Sequence, residues 1–172
     1  TFSVTGLLKA KVKTSGMYMT KFDLFFGSKD EVHPVIVQLQ EVDPLTGAIT
    51  SKVLPFSRVE VPSANVNVSS DGTSPTPVYF PSPVFVNEGS QYAVVVIPAG
   101  NSPNYTLFTA VVGEEDISNN KGARVTEQAA TGDLFISTNQ HIWTPVSNED
   151  LKFTAYYACL LYTSPSPRDA TL

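Results

Sequence analysis

Apolar and polar residues alternate along most of this chain, a pattern typical of β-strands whose two faces meet different surroundings. The stretch "MYMTKFDLFF", residues 17–26, is the clearest example. Its more apolar face predicts which side chains point into the core: Tyr18, Thr20, Phe22, Leu24 and Phe26. Proline or glycine interrupts nearly every window that could form a helix. The pattern therefore predicts an all-β protein.

A β-hairpin is predicted near the start of the chain. "PVIVQLQEV", residues 34–42, alternates as a strand, and "DPLTG" after it has the residues of a tight turn. "AITSKVLPFSRVEV", residues 48–61, is then the returning strand.

Three later stretches predict further strands. Residues 78–86, "VYFPSPVFV", contain Pro81 and Pro83, so we expect an edge strand or two pieces joined by a kink. Residues 91–99, "QYAVVVIPA", hold a continuous apolar run that indicates burial on both faces. Residues 105–113, "YTLFTAVVG", predict a further strong strand.

About eight to ten short strands separated by turn residues predict an antiparallel two-sheet β-sandwich, jelly-roll-like in its organisation. We expect residues 16–158 to form this domain and residues 1–15 to be a strand or a linker from an upstream region. The polar segments 114–131 and 139–149 are expected as loops at the sheet ends, where loops often carry function.

The charge and composition of the chain disfavour some classes of binding partner. The 172 residues carry a formal net charge of −5, which disfavours nucleic-acid binding because affinity for phosphate depends on clustered lysine and arginine. No apolar run approaches the roughly 20 residues that span a bilayer, so we expect no membrane insertion. The single cysteine, Cys159, excludes an internal disulfide, which fits a cytosolic protein or a particle assembled in the cytosol.

Residues for catalysis or cofactor binding do not form a recognisable motif. The chain has no G-x-S-x-G stretch, and its two histidines, His33 and His141, stand outside any motif. We therefore expect no catalytic residues, metal site or cofactor, and the sequence does not predict an enzyme. Three consecutive acids, Glu114, Glu115 and Asp116, indicate a solvated turn, because the spacing of a calcium loop is missing.

Binding is the better supported class of function. The lone tryptophan, Trp143, lies in "NQHIWTP", where an aromatic ring on a sandwich loop could stack on a sugar. The alternative is that Trp143 folds back over one end of the core. The predicted contact residues for a ligand or partner are Asn139, His141, Trp143, Glu114, Glu115 and Asp116.

Several stretches, in this order, resemble a β-sandwich module of virion structural proteins from contractile-tailed bacteriophages, of the baseplate-wedge or tail-fibre type. They are "GMYMTKFDLFFGSKD", "PVIVQLQEVDPLTG", "VLPFSRVEV", "FPSPVFVNEGSQYAVVV", "FTAVVGEEDISNN" and "TGDLFISTNQHIWTPVSNEDLKFTAYYA". The resemblance implies a non-enzymatic part of a phage tail, located in the virion and assembled in the host cytoplasm. It also implies other tail or baseplate proteins as partners, with a chain that forms a homotrimer or docks on neighbouring subunits.

Two other functions stay open on the sequence. The same fold supports a carbohydrate- or host-receptor-binding sandwich, with a host-surface glycan as its ligand. A hydrolase accessory domain is the second alternative, and a hydrolase would need a cleft with a perturbed carboxylate or histidine.

The last residues resemble translated adapter DNA rather than native protein sequence. "CLLYTSPSPRD", Cys159 to Asp169, fits the translation of one end of a transposase adapter used to fragment DNA for sequencing. We therefore expect native sequence to end at or near Ala158, and residues 159–172 to be a disordered, non-native tail. The alternative is a Pro/Ser linker or a tail with Ser-Pro phosphorylation sites.

Overall fold

The alternating segments form thirteen strands in the computed structural model, which describes residues 16–111, 134–146 and 149–158 and the backbone of 3–9. The strands are β1 (Ser3–Lys9), β2 (Met17–Ser28), β3 (Val35–Val42), β4 (Ile49–Val53), β5 (Val59–Val61), β6 (Pro75–Val86), β7 (Gln91–Pro98), β8 (Thr106–Leu107), β9 (Thr109–Val111), β10 (Leu134–Ser137), β11 (Thr144–Val146), β12 (Glu149–Leu151) and β13 (Phe153–Ala158). Two single 3₁₀ turns, Ser63–Asn65 and Ala99–Asn101, are the helical elements of the described part. The predicted all-β class is confirmed.

The larger sheet has seven strands, all paired antiparallel. Its order is β11-β10-β1-β7-β3, and β4 and β5 both pair with the free edge of β3. β5 lies beside residues 35–37 and β4 beside residues 40–42, so these two short strands follow one another along that edge.

The smaller sheet has the order β13-β2-β6, with β8 paired to the end of β2. β6 is an edge strand, as its prolines predict, and its pairing with β2 is irregular between Tyr79 and Val84, around Pro81 and Pro83. A separate two-stranded sheet joins β9 and β12.

The strand pairing has the nested order of a jelly roll. β1 pairs with β7 in the larger sheet, β2 pairs with β6 in the smaller one, and β3 pairs with β4 and β5 in the larger one again. A ribbon of paired strands thus passes from one sheet to the other and back. The predicted antiparallel, jelly-roll-like sandwich is confirmed.

The core lies between the two sheets. Alternate side chains from both sheets form one buried cluster, and each one contributes about 1.5–3 kcal/mol by leaving water. Its members include Phe22, Leu24, Phe26, Val78 and Phe80 from the smaller sheet and Val35, Val37, Leu39, Val94 and Val96 from the larger one.

β7 is buried on both faces, as its apolar run predicts. Tyr92, Val94 and Val96 face the core, whereas the residues between them belong to a second cluster on the outer side of the larger sheet. The second cluster consists of Val42, Ile49, Ala93, Val95 and Ile97, with the partly buried Ile36, Phe135 and Trp143 packed against it.

The predicted core face of β2 is correct from Phe22 onward and wrong before it. Met19 is fully buried, whereas Tyr18 is 40% exposed. Two successive residues of β13 pair with residues of β2 that are two apart, which leaves Thr20 as the extra residue of a β-bulge. An extra residue moves every side chain on its far side to the opposite face of the sheet.

The predicted hairpin is present, but its returning strand is interrupted. The turn closes with Gly47 at a φ of 69°, which favours glycine. The strand predicted over 48–61 breaks into β4 and β5, because the buried Ser57 takes over backbone hydrogen bonds there. Its hydroxyl accepts from the Leu39 N–H at 3.2 Å and donates to the Leu54 carbonyl at 2.8 Å.

Two other boundaries also differ from the prediction. The strand predicted over 105–113 splits into β8 and β9 at Phe108, whose carbonyl accepts a hydrogen bond from the Lys152 N–H at 3.0 Å. The segment 139–149, predicted as a loop, contains β11. These interruptions explain why thirteen strands are seen where about eight to ten were predicted.

Phe22→Ala tests the packing between the sheets. Phe22 is fully buried and lies edge-on against Phe80 and Phe153 at centroid distances of 5.5 and 5.9 Å. The substitution should lower the free energy of unfolding by about 3–5 kcal/mol in urea denaturation. Phe56→Ala, at a position that is 64% exposed, should change it by less than about 0.5 kcal/mol. Equal losses in the two variants would contradict the assigned core.

Candidate functional site

The predicted contact residues that the structure describes lie after β10. Asn139 is used by its own loop, since its Oδ1 accepts hydrogen bonds from the backbone N–H groups of His141 at 3.0 Å and Ile142 at 2.9 Å. His141 is exposed beside it. The predicted residues Glu114, Glu115 and Asp116 lie outside the described residues.

Trp143 is partly buried against the larger sheet. Its ring packs on the second buried cluster, on the outer side of β7. Its Nε1 is buried and has no hydrogen-bond partner among the described residues. The Trp143 ring therefore packs against the larger sheet, whereas the Asn139 amide serves its own turn.

The outer surface of the smaller sheet carries four partly exposed aromatic side chains. They point away from the core because their neighbours along each strand point into it. The exposed fractions are 40% for Tyr18, 64% for Tyr79, 44% for Phe85 and 38% for Tyr156. Together with Lys21 and Asp23, these four side chains define what we call the aromatic face.

Lys21 lies at the centre of the aromatic face. It pairs with Tyr156 of β13 on one side and with Tyr79 of β6 on the other. Its ammonium lies 3.9 Å from the centre of the Tyr156 ring and 5.5 Å from that of Tyr79, within the range of cation–π interaction. Both rings are thus held on paired strands rather than on loops.

Asp23 neutralises this lysine and binds one of the phenols. Its Oδ1 lies 3.2 Å from Lys21 Nζ, and its Oδ2 accepts a hydrogen bond from the Tyr156 hydroxyl at 2.7 Å. Burial disfavours the charge of Lys21, but the hydrogen bond to Asp23 and the carboxylate charge outweigh it and raise the lysine pKa. The hydrogen bond from the Tyr156 hydroxyl to Asp23 Oδ2, followed by burial, raises the pKa of Tyr156. The centre of the face carries one paired positive and one paired negative charge.

A second aromatic pair lies further along β2. Tyr18 and Phe85 are cross-strand partners, with ring centroids 5.2 Å apart and planes inclined at 56°. Lys21 and Tyr18 pair with Tyr156 and Ala158, two residues apart on β13, because Thr20 is the extra residue of the bulge. The two parts of the aromatic face are therefore about 7 Å apart at roughly 3.3 Å per residue. The face therefore offers two aromatic positions along one direction.

The sequence analysis did not predict the aromatic face, although the alternation along β6 could have placed one of its residues. In "PTPVYFPSPVFV", the apolar Val78 and Phe80 predict an inward face, and Tyr79 between them must then point outward. Nothing in the sequence places Tyr156 beside Lys21, because the two residues are far apart in the chain and meet only through strand pairing.

A second polar cluster surrounds the buried carboxylate of Asp30, between β2 and β3. Oδ1 accepts hydrogen bonds from the backbone N–H groups of Val32 at 2.7 Å and His33 at 2.8 Å. Oδ2 accepts from the Ser102 hydroxyl at 2.5 Å and from Asn104 Nδ2 at 2.9 Å. These hydrogen bonds stabilise the ionised carboxylate and hold the pKa of Asp30 well below its usual range, and the bond from Ser102 has the largest effect.

The Asp30 cluster joins three connections that pass between the sheets. Asp30 lies between β2 and β3, and its carbonyl accepts a hydrogen bond from the hydroxyl of Ser63, between β5 and β6. Ser102 and Asn104 lie between β7 and β8. The carboxylate stands between Ser102 and His33, so the serine hydroxyl donates to a weakly basic carboxylate of lowered pKa and not to the imidazole. This arrangement fits a structural clamp rather than an activated nucleophile.

Metal ligands, membrane-spanning helices and similarity to known proteins give no further functional assignment for the described residues. Within the part of the chain that the structure describes, no group of three or more histidine, cysteine or acidic residues is placed to hold a metal ion. No helix among those residues is long and apolar enough to cross a membrane. No protein-family model, curated protein or solved structure matches this chain.

Asp30→Asn should destabilise the protein, because the new amide nitrogen replaces an acceptor that faces the Asn104 amide. Since the folded-state pKa of Asp30 is depressed, its contribution is complete above the unfolded value of about 3.9 and is lost as the pH falls below it. At neutral pH, the midpoint of thermal unfolding should fall by roughly 5–10 °C. This difference from the wild type should shrink below about pH 4.

Glu60→Gln is the control for Asp30→Asn, since it removes the same charge from an exposed position on β5. It should have little effect on the midpoint at either pH. A constant difference between wild type and Asp30→Asn across the acid range would contradict the role given to the carboxylate.

Tyr156→Phe tests the hydrogen bond within the aromatic face. The raised pKa of Tyr156 means that its phenol ionises at higher pH than an ordinary tyrosine. A spectrophotometric titration should therefore lose amplitude at its high-pH end in the variant. Asp23→Asn, which leaves the phenol in place, should move that amplitude to lower pH. A loss confined to the ordinary tyrosine range would show that the bond to Asp23 is absent.

Proposed function

We propose that this chain is a structural module of a bacteriophage tail, of the baseplate-wedge or tail-fibre type, that makes protein contacts in the virion. The observation that carries the proposal is the position of the stretches that resemble such modules. They supply β2, β3, β5, β9 and β10 to β13, together with most of β6 and of β7, and so run through both sheets. A resemblance spread over the paired strands supports a shared architecture better than a resemblance in one loop.

The physical properties of the sandwich suit a part that transmits force. β7 is buried on both faces between β1 and β3, so moving it would expose apolar surface on two sides. β2 pairs with β6 on one side and with β13, from the far end of the described chain, on the other. Such long-range pairing resists the separation of one segment from the rest.

The proposal implies other tail or baseplate proteins as partners and a homotrimer as the assembled state. The site of action is the tail of the virion, which assembles in the host cytoplasm. Catalysis, a cofactor and nucleic-acid binding have no part in the proposal.

Sequencing of the source DNA tests this function. A long-read library prepared without transposase adapters should show the reading frame continuing beyond Ala158 into further tail sequence. The neighbouring genes should encode other tail components. The codons for Cys159 to Asp169 should be absent.

Different results of this experiment test the tail function and the adapter origin of Cys159 to Asp169. A frame that begins with a secretion signal and joins a catalytic domain would overturn the tail assignment. Retention of the Cys159 to Asp169 codons would contradict the adapter interpretation, while the genes on either side would still decide the function.

A further inference from the structure

The aromatic face combines exposed rings with a charge pair that is already compensated. We propose that this face binds a neutral oligosaccharide, with the Tyr79 ring as its main stacking surface. Tyr79 is the most exposed of the four rings, at 64%. A pyranose ring has a face of C–H groups that packs on an aromatic ring and a rim of hydroxyls that needs polar partners.

The charges of the face favour an uncharged ligand. Lys21 is bound to Asp23 at 3.2 Å and lies over the Tyr156 ring at 3.9 Å, so its charge is compensated within the protein. Asp23 is occupied in turn by Lys21 and by the Tyr156 hydroxyl. Among the described residues, a phosphate, sulfate or carboxylate group would find no unpaired cation at the centre of this face. The Asp23 side chain is only 9% exposed, so the hydroxyl rim of a sugar meets the partly exposed ammonium of Lys21 and water rather than the carboxylate.

The same charge pair disfavours a dry protein interface. The cores of protein interfaces are depleted in charged residues, because burying an ion pair costs its hydration. A second copy or another protein that covered the aromatic face would remove Lys21, whose side chain is 23% exposed, from its remaining water. An oligosaccharide in a shallow site leaves room for water around the ammonium.

The spacing of the rings favours a chain of sugars over a single one. Tyr79 and Tyr156 flank Lys21, and the Tyr18–Phe85 pair lies further along β2, about 7 Å away at roughly 3.3 Å per residue for the two steps along β13. All four rings stand on paired strands, so little conformational entropy is lost when they bind. The inference depends on this geometry and not on the tail assignment.

The test uses the full chain and an array of neutral and anionic oligosaccharides, with titration calorimetry on the sugars that bind. Wild type should bind at least one neutral oligosaccharide. Tyr79→Ala should weaken that binding roughly five- to tenfold, the loss expected for one aromatic contact. Tyr79→Phe, which keeps the ring, should bind within about twofold of wild type.

Phe56→Ala is the matched control, because Phe56 is also 64% exposed but lies between β4 and β5 on the larger sheet. It should leave binding unchanged. Thermal unfolding confirms that each variant is folded. The proposal is overturned if folded wild type binds no neutral sugar, if it binds only anionic ones, or if both alanine variants lose binding equally. Self-association that depends on Tyr79, without glycan binding, would assign the face to a second copy of the chain.

Discussion

Phe22 packs edge-on against Phe80 of β6 and Phe153 of β13, so one side chain fixes the three long strands of the smaller sheet to the core. Because strand side chains alternate, this contact also decides what the outer surface presents. With Phe22 inside, Lys21 and Asp23 must point outward. The aromatic face is therefore a consequence of the core, and a change that rotated β2 would remove both.

Two irregularities adjust the faces of the smaller sheet without breaking it. The bulge at Thr20 buries Met19 and brings Tyr18 to the surface, where it meets Phe85. On β6, the stretch around Pro81 and Pro83 lets the pairing with β2 resume at a shifted register. Both edges of β2 change register beside Thr20, and the second aromatic pair depends on that change.

The sequence was sufficient for the fold class, the hairpin, the edge position of β6 and the two-sided burial of β7. Each of these follows from a local pattern, such as alternation, turn residues or proline within a strand. The bulge at Thr20 leaves no local pattern, so the face of Tyr18 was predicted wrongly. The aromatic face depends on Lys21 meeting Tyr156 across the sheet. The residues proposed from sequence were instead those in the polar loops, where Asn139 serves its own turn and Trp143 packs against the larger sheet.

Hydrophobic packing brings the two sheets together but does not by itself set their relative orientation, since it is non-directional. The Asp30 cluster supplies directional bonds where three connections pass from one sheet to the other. One carboxylate accepts from the β2–β3 connection and from Ser102 and Asn104 of the β7–β8 connection, and Lys29 Nζ donates to the carbonyls of Ser63 at 3.0 Å and Val66 at 2.8 Å. Rotation of one sheet over the other would break several of these bonds at once. The apolar core and this polar clamp therefore have separate roles, the first holding the sheets in contact and the second fixing the angle between them.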